Sequence, residues 1–527
     1  MIDYSKKRFL VVDDFSEFRS SIKGVLRLLA VQHIDTAANG EEVLELCRKK
    51  RFDIILHDYN LGAGKNGQQV LEQLHDEGLL DPHSIFVMVT AENTQAMVLA
   101  ALECEPDGYL TKPFNRATLQ QRLDRIVKKK QALAPILDAV QKDDHLGVLR
   151  AAKTIMQASP RLGSECRRYM AAALYRQGEF TTLESLLEGI NKERLVGWAA
   201  LLLADIWHQQ GEDKKAENLY QASIRQFPML PDLLDGMASL RSDQGDYSGA
   251  EEWLLRGVQL SPNTLSRQVR LARHALLNRR PAVASKALRQ AVSLGRHAAN
   301  FNPEWLLQLI FSLLPGDKPA EGKVLQEIRN LLDDLDKSQR THSYLPAASA
   351  LLRADLKPDA SNSDTDWAAL AQPLLEQEQV PELLTSLHLG NLLCRRGAKA
   401  QGHSLLQQVL AFYGDHGQVR AWLEVELGES SIAAHAQASD LCRQAVAAHF
   451  SSEQMRANEL FAAARQLAPA NITRALAEAR LLLQQRSNGQ ASGEDLAKCL
   501  EPLQRMPLAD SRYRAYQHLR QHTEELW

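Results

Sequence analysis

The sequence predicts two structural classes in series: an α/β doubly wound parallel sheet, then an all-α helical-repeat solenoid. Three observations carry this. Four short apolar runs, Phe9–Val12, Ile54–Leu56, Ile85–Val89 and Tyr109–Leu110, read as strands that each end at polar residues. After Lys130 the strand signals vanish, and Ala, Leu, Gln, Arg and Glu dominate with helical periodicity. A period of roughly 34 residues then appears.

The polar residues at the strand ends are the most informative feature of the first class. They are Asp13 and Asp14, Asp58, Thr90 and Lys112. In a parallel sheet covered by helices on both faces, the carboxyl ends of the strands meet in one crevice, and ligands bind there. Residues far apart in sequence would converge on one point. Three carboxylates at that point repel one another and resist ionisation. A hard divalent cation removes the conflict, and Mg²⁺ suits carboxylates, a carbonyl and waters. Such a site is suited to holding a phosphoryl group on an aspartate.

The motifs resemble the receiver domain of two-component response regulators, the CheY-like family. They are Val11-Val12-Asp13-Asp14, His57-Asp58-Tyr59-Asn60, Val89-Thr90-Ala91-Glu92 and Tyr109-Leu110-Thr111-Lys112-Pro113-Phe114. In order and spacing the resemblance covers residues 6–130, about a quarter of the chain. It implies a five-stranded, flavodoxin-like sheet, and the five-stranded fold is identified through it rather than built from the four runs. It further implies that Asp58 is the phosphoacceptor. Asp13, Asp14, Asp58 and the Asn60 carbonyl would hold Mg²⁺. Lys112 would pair with phosphate oxygens as a point charge. Thr90 would donate its hydroxyl to the phosphoryl group, and Tyr109 would follow it inward as the switch aromatic. Asn60 and Glu92 would govern access of the hydrolytic water, giving a short-lived phosphoryl state. Taken alone, Asp14 also reads as a cap for a helix starting near Phe15.

Two places depart from the family pattern. The loop Leu61-Gly62-Ala63-Gly64-Lys65-Asn66-Gly67 carries Gly62 where the family usually has Pro, and its glycines widen the accessible backbone range. Glu105-Pro106 replaces the usual Gly-Ala before Asp107-Gly108. Neither touches the phosphorylation chemistry, and both lie near surfaces that receivers use to meet partners.

Length and composition bound the rest. At 527 residues the chain exceeds one core. A net charge of −3 argues against broad nucleic-acid binding. Cys47, Cys104, Cys166, Cys394, Cys442 and Cys499 lack paired spacing and read as reduced thiols rather than disulfides or a zinc site. The 16 histidines show no clustered ligand spacing. The first strand follows the N-terminus almost at once, which leaves no room for a signal peptide, and no apolar run is long enough to span a membrane. The expected location is the cytoplasm.

The remaining three quarters read as repeats. Gly178, Gly211 and Gly245 recur in similar motifs. Ala216, Ala250 and Ala284 recur at one fixed interval, and Ala204, Ala238 and Ala272 share it, as does Pro228 with Pro262. These registers resemble the tetratricopeptide family, a helix–turn–helix of about 34 residues with small residues where helices cross. Proline ends the second helix because it cannot continue the ladder. The division expected is 1–130, then repeats over 131–298, clearest in 197–296. An irregular helical segment follows over 299–380, with a polar loop at 357–365. Degenerate repeats with Gly390, Gly397, Ala457, Phe461, Ala464 and Pro469 fill 381–527, closed by a capping helix Ser511–Trp527.

Leu119–Gln131 reads as the last helix of the first domain, with Lys128-Lys129-Lys130 complementing its dipole. No Gly- or Ser-rich linker follows before Pro135, so the joint should be stiff. Receiver plus repeats suggests a response regulator, of the VieB-like architecture, whose output is protein binding. A histidine kinase or phosphotransfer protein would phosphorylate Asp58, and the solenoid would bind a partner protein through its surface. The alternatives are a phosphate sink, a constitutive scaffold or, with less support, a DNA-binding regulator. No enzymatic output motif follows residue 131, so beyond self-catalysed phosphoryl chemistry no enzyme activity is expected, and neither nucleic acid nor membrane is an expected partner.

Overall fold

The computed structural model describes the chain except residues 1, 63, 92–104, 211, 297–300, 315–319, 339–343, 358–364, 377–380, 415–416, 451–452, 488–492, 505, 507–515, 518 and 521–527. The expected polar loop, the capping helix, Glu92 and Gly211 therefore lie wholly or mostly outside the described residues.

The N-terminal domain is a five-stranded parallel sheet in the order β2-β1-β3-β4-β5. Its strands are β1 (Arg8–Val12), β2 (His33–Ala37), β3 (Ile54–Asp58), β4 (Ile85–Thr90) and β5 (Gly108–Thr111). The described helices of the domain are α1 (Ser16–Leu28), α2 (Gly40–Lys49), α3 (Gly67–Asp76) and α4 (Arg116–Ala132). Every residue of β3 and β4 is buried, as expected for strands covered on both faces. Alternate residues build two cores. Phe9, Val11, Ile54, Leu56, Val87 and Val89 pack with Ile22 and Leu26 of α1 and Leu119 and Leu123 of α4. Leu10, Val12, Ile55, Phe86 and Met88 pack with Val43 of α2 and Val70, Leu71 and Leu74 of α3. Burying each of these side chains contributes roughly 1.5–3 kcal/mol, so this double-sided core dominates the domain's stability.

Asparagines start three of the helices. Asn39, Asn66 and Asn115 each accept a backbone N–H from the first turn of α2, α3 and α4. At α3 the cap is reciprocal: Gln69 returns a carbonyl to the Asn66 N–H at 2.9 Å.

The chain divides into two compact units. One is Met1–Asp243 with Gly249–Gln268 and Ser293–Phe301; the other is Gln244–Ser248, Val269–Val292 and Asn302–Trp527. In the first unit, α4 ends at Ala132 and the next helix, Ala134–Gln141, begins after a single residue, Leu133. Leu133 is buried with Ile136, Leu137, Val148 and Ala152.

The remainder is a run of helices. Helices starting at Gly197, Pro231 and Leu265 are evenly spaced along the chain, and those starting at Asp213, Tyr247 and Pro281 repeat the same interval. Ala204, Ala238, Ala272, Ala216, Ala250 and Ala284 are all fully buried. Gly178, Gly245 and Gly397 take left-handed turn conformations, with φ of 71°, 80° and 90°. Between Glu304 and Leu375 the helices start at Glu304, Gly322, Leu345 and Trp367, out of that register.

Candidate functional site

The site forms where the carboxyl ends of β1, β3, β4 and β5 meet. β1 pairs with β3, β3 with β4, and β4 with β5, so Val12, His57, Val89 and Leu110 lie within one register position of one another across the sheet. The residues just beyond them are Asp13, Asp58, Thr90 and, two positions on, Lys112. Asp13, Asp58 and Thr90 are buried, at 0%, 6% and 3% exposure, whereas Asp14 and Asn60 are exposed.

Asp13, Asp14 and Asp58 each bring a carboxylate oxygen within 4.8 Å of the others. Lys112 bridges two of them, donating to Asp58 Oδ2 at 2.8 Å and Asp13 Oδ2 at 2.5 Å. Burial pushes the Asp58 carboxyl up to about 6; the Lys112 ammonium opposes the shift and the Asp13 carboxylate adds to it. The three carboxylates form an oxygen-only donor set that fits a hard divalent cation, and the Lys112 ammonium offsets part of their charge.

Each side chain is held by its element. Asp13 Oδ1 accepts the Phe15 N–H at 2.9 Å, and its carbonyl accepts Arg19 Nη1 at 2.5 Å. This settles the alternative reading of Asp14: α1 starts after Phe15 with no side-chain cap, and it is Asp13 that takes the Phe15 amide. Asn60 Oδ1 accepts the Gly62 N–H at 3.2 Å, which shapes the loop beyond Asp58. Gly62 has φ of 70°, which favours glycine at that turn. Tyr109 is half-buried against the core face that holds Phe86 and Met88. His57, one residue before Asp58, stacks on Phe86 and pairs its Nδ1 with the Asp58 carbonyl at 2.6 Å; burial lowers its pKa to about 4, so it is neutral here.

Two contributors escaped the sequence reading. The Lys112 ammonium lies 4.1 Å from the centre of the Phe18 ring, and Phe18 meets Phe114 edge to face. Arg19 clamps the Asp13 carbonyl. Both sit on the first turn of α1, so their position after the Asp13-Asp14 pair was the available signal.

Residues 9–124 match the response regulator receiver domain family. The chemotaxis protein CheY-3 of Vibrio cholerae is 34% identical over 123 residues, which covers 23% of this chain and 92% of that protein. The chain belongs to the response regulator receiver family. The chemotaxis protein CheY of Pseudomonas aeruginosa is 30% identical over 122 residues, covering 23% of this chain and 97% of its own. Among solved structures, CheY4 of Vibrio cholerae shares 28% identity over 23% of this chain and 98% of its own, with a TM-score of 0.21. These likenesses concern the receiver alone. The family match and the two CheY sequences support a two-component response regulator.

The receiver is tied to the first repeat helices within the same compact unit. Lys129 on α4 pairs with Glu165 at 2.8 Å, and Glu105 pairs with Arg168; both partners lie on the helix Gly163–Arg176. Lys130 instead turns back to the receiver, donating to the Pro82 and Ser84 carbonyls and to Asp107. His83 meets Asp138 at 2.8 Å, and Gln141 donates to Asp81 at 3.0 Å. On α3, Gln69 Nε2 donates to the carbonyl of Leu294. The described residues hold no helix long and apolar enough to cross a membrane.

Proposed function

We propose that this chain is a two-component response regulator in which phosphorylation of Asp58 controls protein binding by the helical repeats. The observation that carries this reading is the carboxylate cluster with Lys112 across it, in a receiver fastened directly to the repeat region. Asp13, Asp14, Asp58 and the Asn60 carbonyl would hold Mg²⁺, which supplies charge neutralisation when bound. Asp58 is then the nucleophile. Its carboxylate oxygen attacks the phosphorus of a phosphohistidine; the new O–P bond forms as the P–N bond breaks, and the imidazole leaves. Positioning and charge matter more than acid–base work in this step. Lys112 exchanges Asp58 for a phosphoryl oxygen, and the Thr90 hydroxyl donates to another. Tyr109 follows Thr90, and Asn60 with Glu92 sets water access. The donor of the phosphoryl group is a histidine kinase or phosphotransfer protein.

Transmission runs through two routes. One is Leu133, the single residue between α4 and the first repeat helix. The other starts in the loop beyond Asp58, passes through the Asn66–Gln69 cap, and reaches Leu294. Exposed ion pairs such as Lys129–Glu165 contribute only about 0–1 kcal/mol each, so they orient the joint while the apolar contacts at Leu133 stiffen it. The even helix spacing and its buried alanines support a tetratricopeptide-like output that binds a partner protein. The protein acts in the cytoplasm, without nucleic acid or membrane, and is no enzyme beyond its own phosphoryl chemistry.

The test is a pull-down from lysate with the full chain, with and without beryllofluoride and Mg²⁺, with Asp58→Ala as control. A partner retained in only one state of the wild type supports the reading. Partners identical in both states and in the mutant would leave a constitutive scaffold, with the receiver a phosphate sink.

A further inference from the structure

Three side chains from three successive helices of the second unit converge far from the receiver motifs in sequence. Cys394 lies at the end of the helix Leu383–Arg395, His403 early in Lys399–Tyr413, and Glu426 at the end of Gly417–Leu427. One ligand atom of each lies within 4.8 Å of the other two. Cys394 is 5% exposed, while His403 and Glu426 are half-buried.

The backbone makes room for the thiol. Gly390 and Gly402 face each other where the first two helices cross. A Cβ on Gly402 would sit 2.5 Å from Cys394 Sγ and 2.8 Å from the Gly390 carbonyl. The sulfur therefore occupies space that any other residue at 402 would fill. The Glu426 carboxylate lies beside the thiol, and burial, with that carboxylate, pushes it up to about 11. Unligated, it is a protonated thiol.

We propose that Cys394, His403 and Glu426 form a binding site for a zinc-like divalent transition metal. The donor set decides the class. Thiolate and imidazole suit Zn²⁺, whereas Mg²⁺ and Ca²⁺ take oxygen ligands. Zn–S and Zn–N bonds of about 2.3 and 2.0 Å place tetrahedral ligands roughly 3.5 Å apart, and the present separations are no more than 4.8 Å, so a small inward shift of the side chains completes three bonds. The half-buried edge made by His403 and Glu426 admits a water as the fourth ligand. On binding, the thiol proton leaves to solvent and the thiolate takes the metal. Among the described residues, no other cysteine lies in such a group. A bound ion would pin the three helices to one another.

Cobalt is the probe. The full chain is stripped with chelator under reducing conditions, titrated with Co²⁺, and back-titrated with Zn²⁺. A thiolate-to-cobalt charge-transfer band in the near ultraviolet, saturating at one equivalent and abolished by Zn²⁺, is the expected result. The receiver cluster has only carboxylates and gives no such band. Cys394→Ser should lose the band. His403→Gln and Glu426→Gln, at half-buried positions, should retain the fold by far-ultraviolet circular dichroism and weaken Co²⁺ by roughly tenfold or more, the scale by which even supporting contacts affect metal sites. Absence of the band in the wild type overturns the proposal. So does a band of unchanged strength and affinity in Cys394→Ser, or in both His403→Gln and Glu426→Gln should the serine variant fail to fold.

Discussion

Lys112 Nζ lies 2.8 Å from Asp58 Oδ2, so the lysine already pairs with the carboxylate proposed to accept the phosphoryl group. The same ammonium holds Asp13. Removing one member of a buried ionic cluster leaves the others uncompensated, at a cost of about 3 kcal/mol. Lys112→Met should therefore destabilise the Mg²⁺-free protein by up to that amount. Mg²⁺ should also bind it more tightly than the wild type, because the competing cation is gone. Calorimetric titration with Mg²⁺ checks the sign; weaker binding in the variant would mean that Lys112 organises the carboxylates rather than competing for them.

His208 links two repeat helices through Asp213 at 2.8 Å and Asp243 at 2.9 Å. The bond to Asp243 leads in raising its pKa to about 9; burial opposes the shift, and Asp213 adds to it. The folded state thus holds a proton that the unfolded chain releases near 6.5. This stabilisation is complete below about pH 6.5 and is lost as pH rises through about 9. Melting temperatures of wild type and His208→Gln should converge between about pH 6 and 9.5, with the wild type higher at the acid end. Parallel curves would show that folding leaves the affinity of the ring for its proton unchanged.

Gly236 and Gly189 separate helix propensity from packing. Alanine is favoured over glycine inside a helix by about 1 kcal/mol. At Gly189 nothing lies within 4 Å of an added Cβ, so Gly189→Ala should stabilise by up to that amount. At Gly236 the Cβ would sit 2.5 Å from the ring of Tyr220, which is fully buried and bonded to Asp205. Overpacking costs roughly 1–3 kcal/mol and should outweigh the propensity gain. Urea unfolding should move the two variants in opposite directions.

Glu105 sits at φ of 50°, a left-handed conformation that glycine adopts freely. That conformation costs about 1–2 kcal/mol and accompanies an exposed pairing with Arg168. Glu105→Gly should leave thermal stability equal or higher, since exposed ion pairs are worth at most about 1 kcal/mol. A loss above that would make the pair a principal fastening between receiver and repeats.

What the sequence revealed follows from burial and from locality. β3 and β4 were legible because strands covered on both faces are continuous apolar runs. β2, His33-Ile34-Asp35-Thr36-Ala37, lies at the sheet edge and is largely half-buried, so no apolar run marked it. The strand-end positions of Asp13, Asp58 and Thr90 were legible for the same reason as the strands. The repeat register was carried by alanines that the structure buries completely. At Arg279, one repeat beyond Gly245, the turn keeps its left-handed conformation with φ of 57°, so the glycine signal disappears although the geometry persists. Glu105 was visible as a departure, but Arg168 was not, and neither was Leu294 as the distant partner of Gln69. Cys394, His403 and Glu426 come from three helices, so no ligand spacing connects them.

Coupling of Asp58 to the repeats is tested most directly by hydrogen–deuterium exchange on the full chain, with and without beryllofluoride and Mg²⁺. Amides of the helix Gly163–Arg176 and around Leu294 should change exchange rate by at least about fivefold in the wild type, the lower range of site-to-site coupling. Asp58→Ala should show no such change. Altered exchange confined to the receiver, with the repeat amides unmoved, would contradict the coupling.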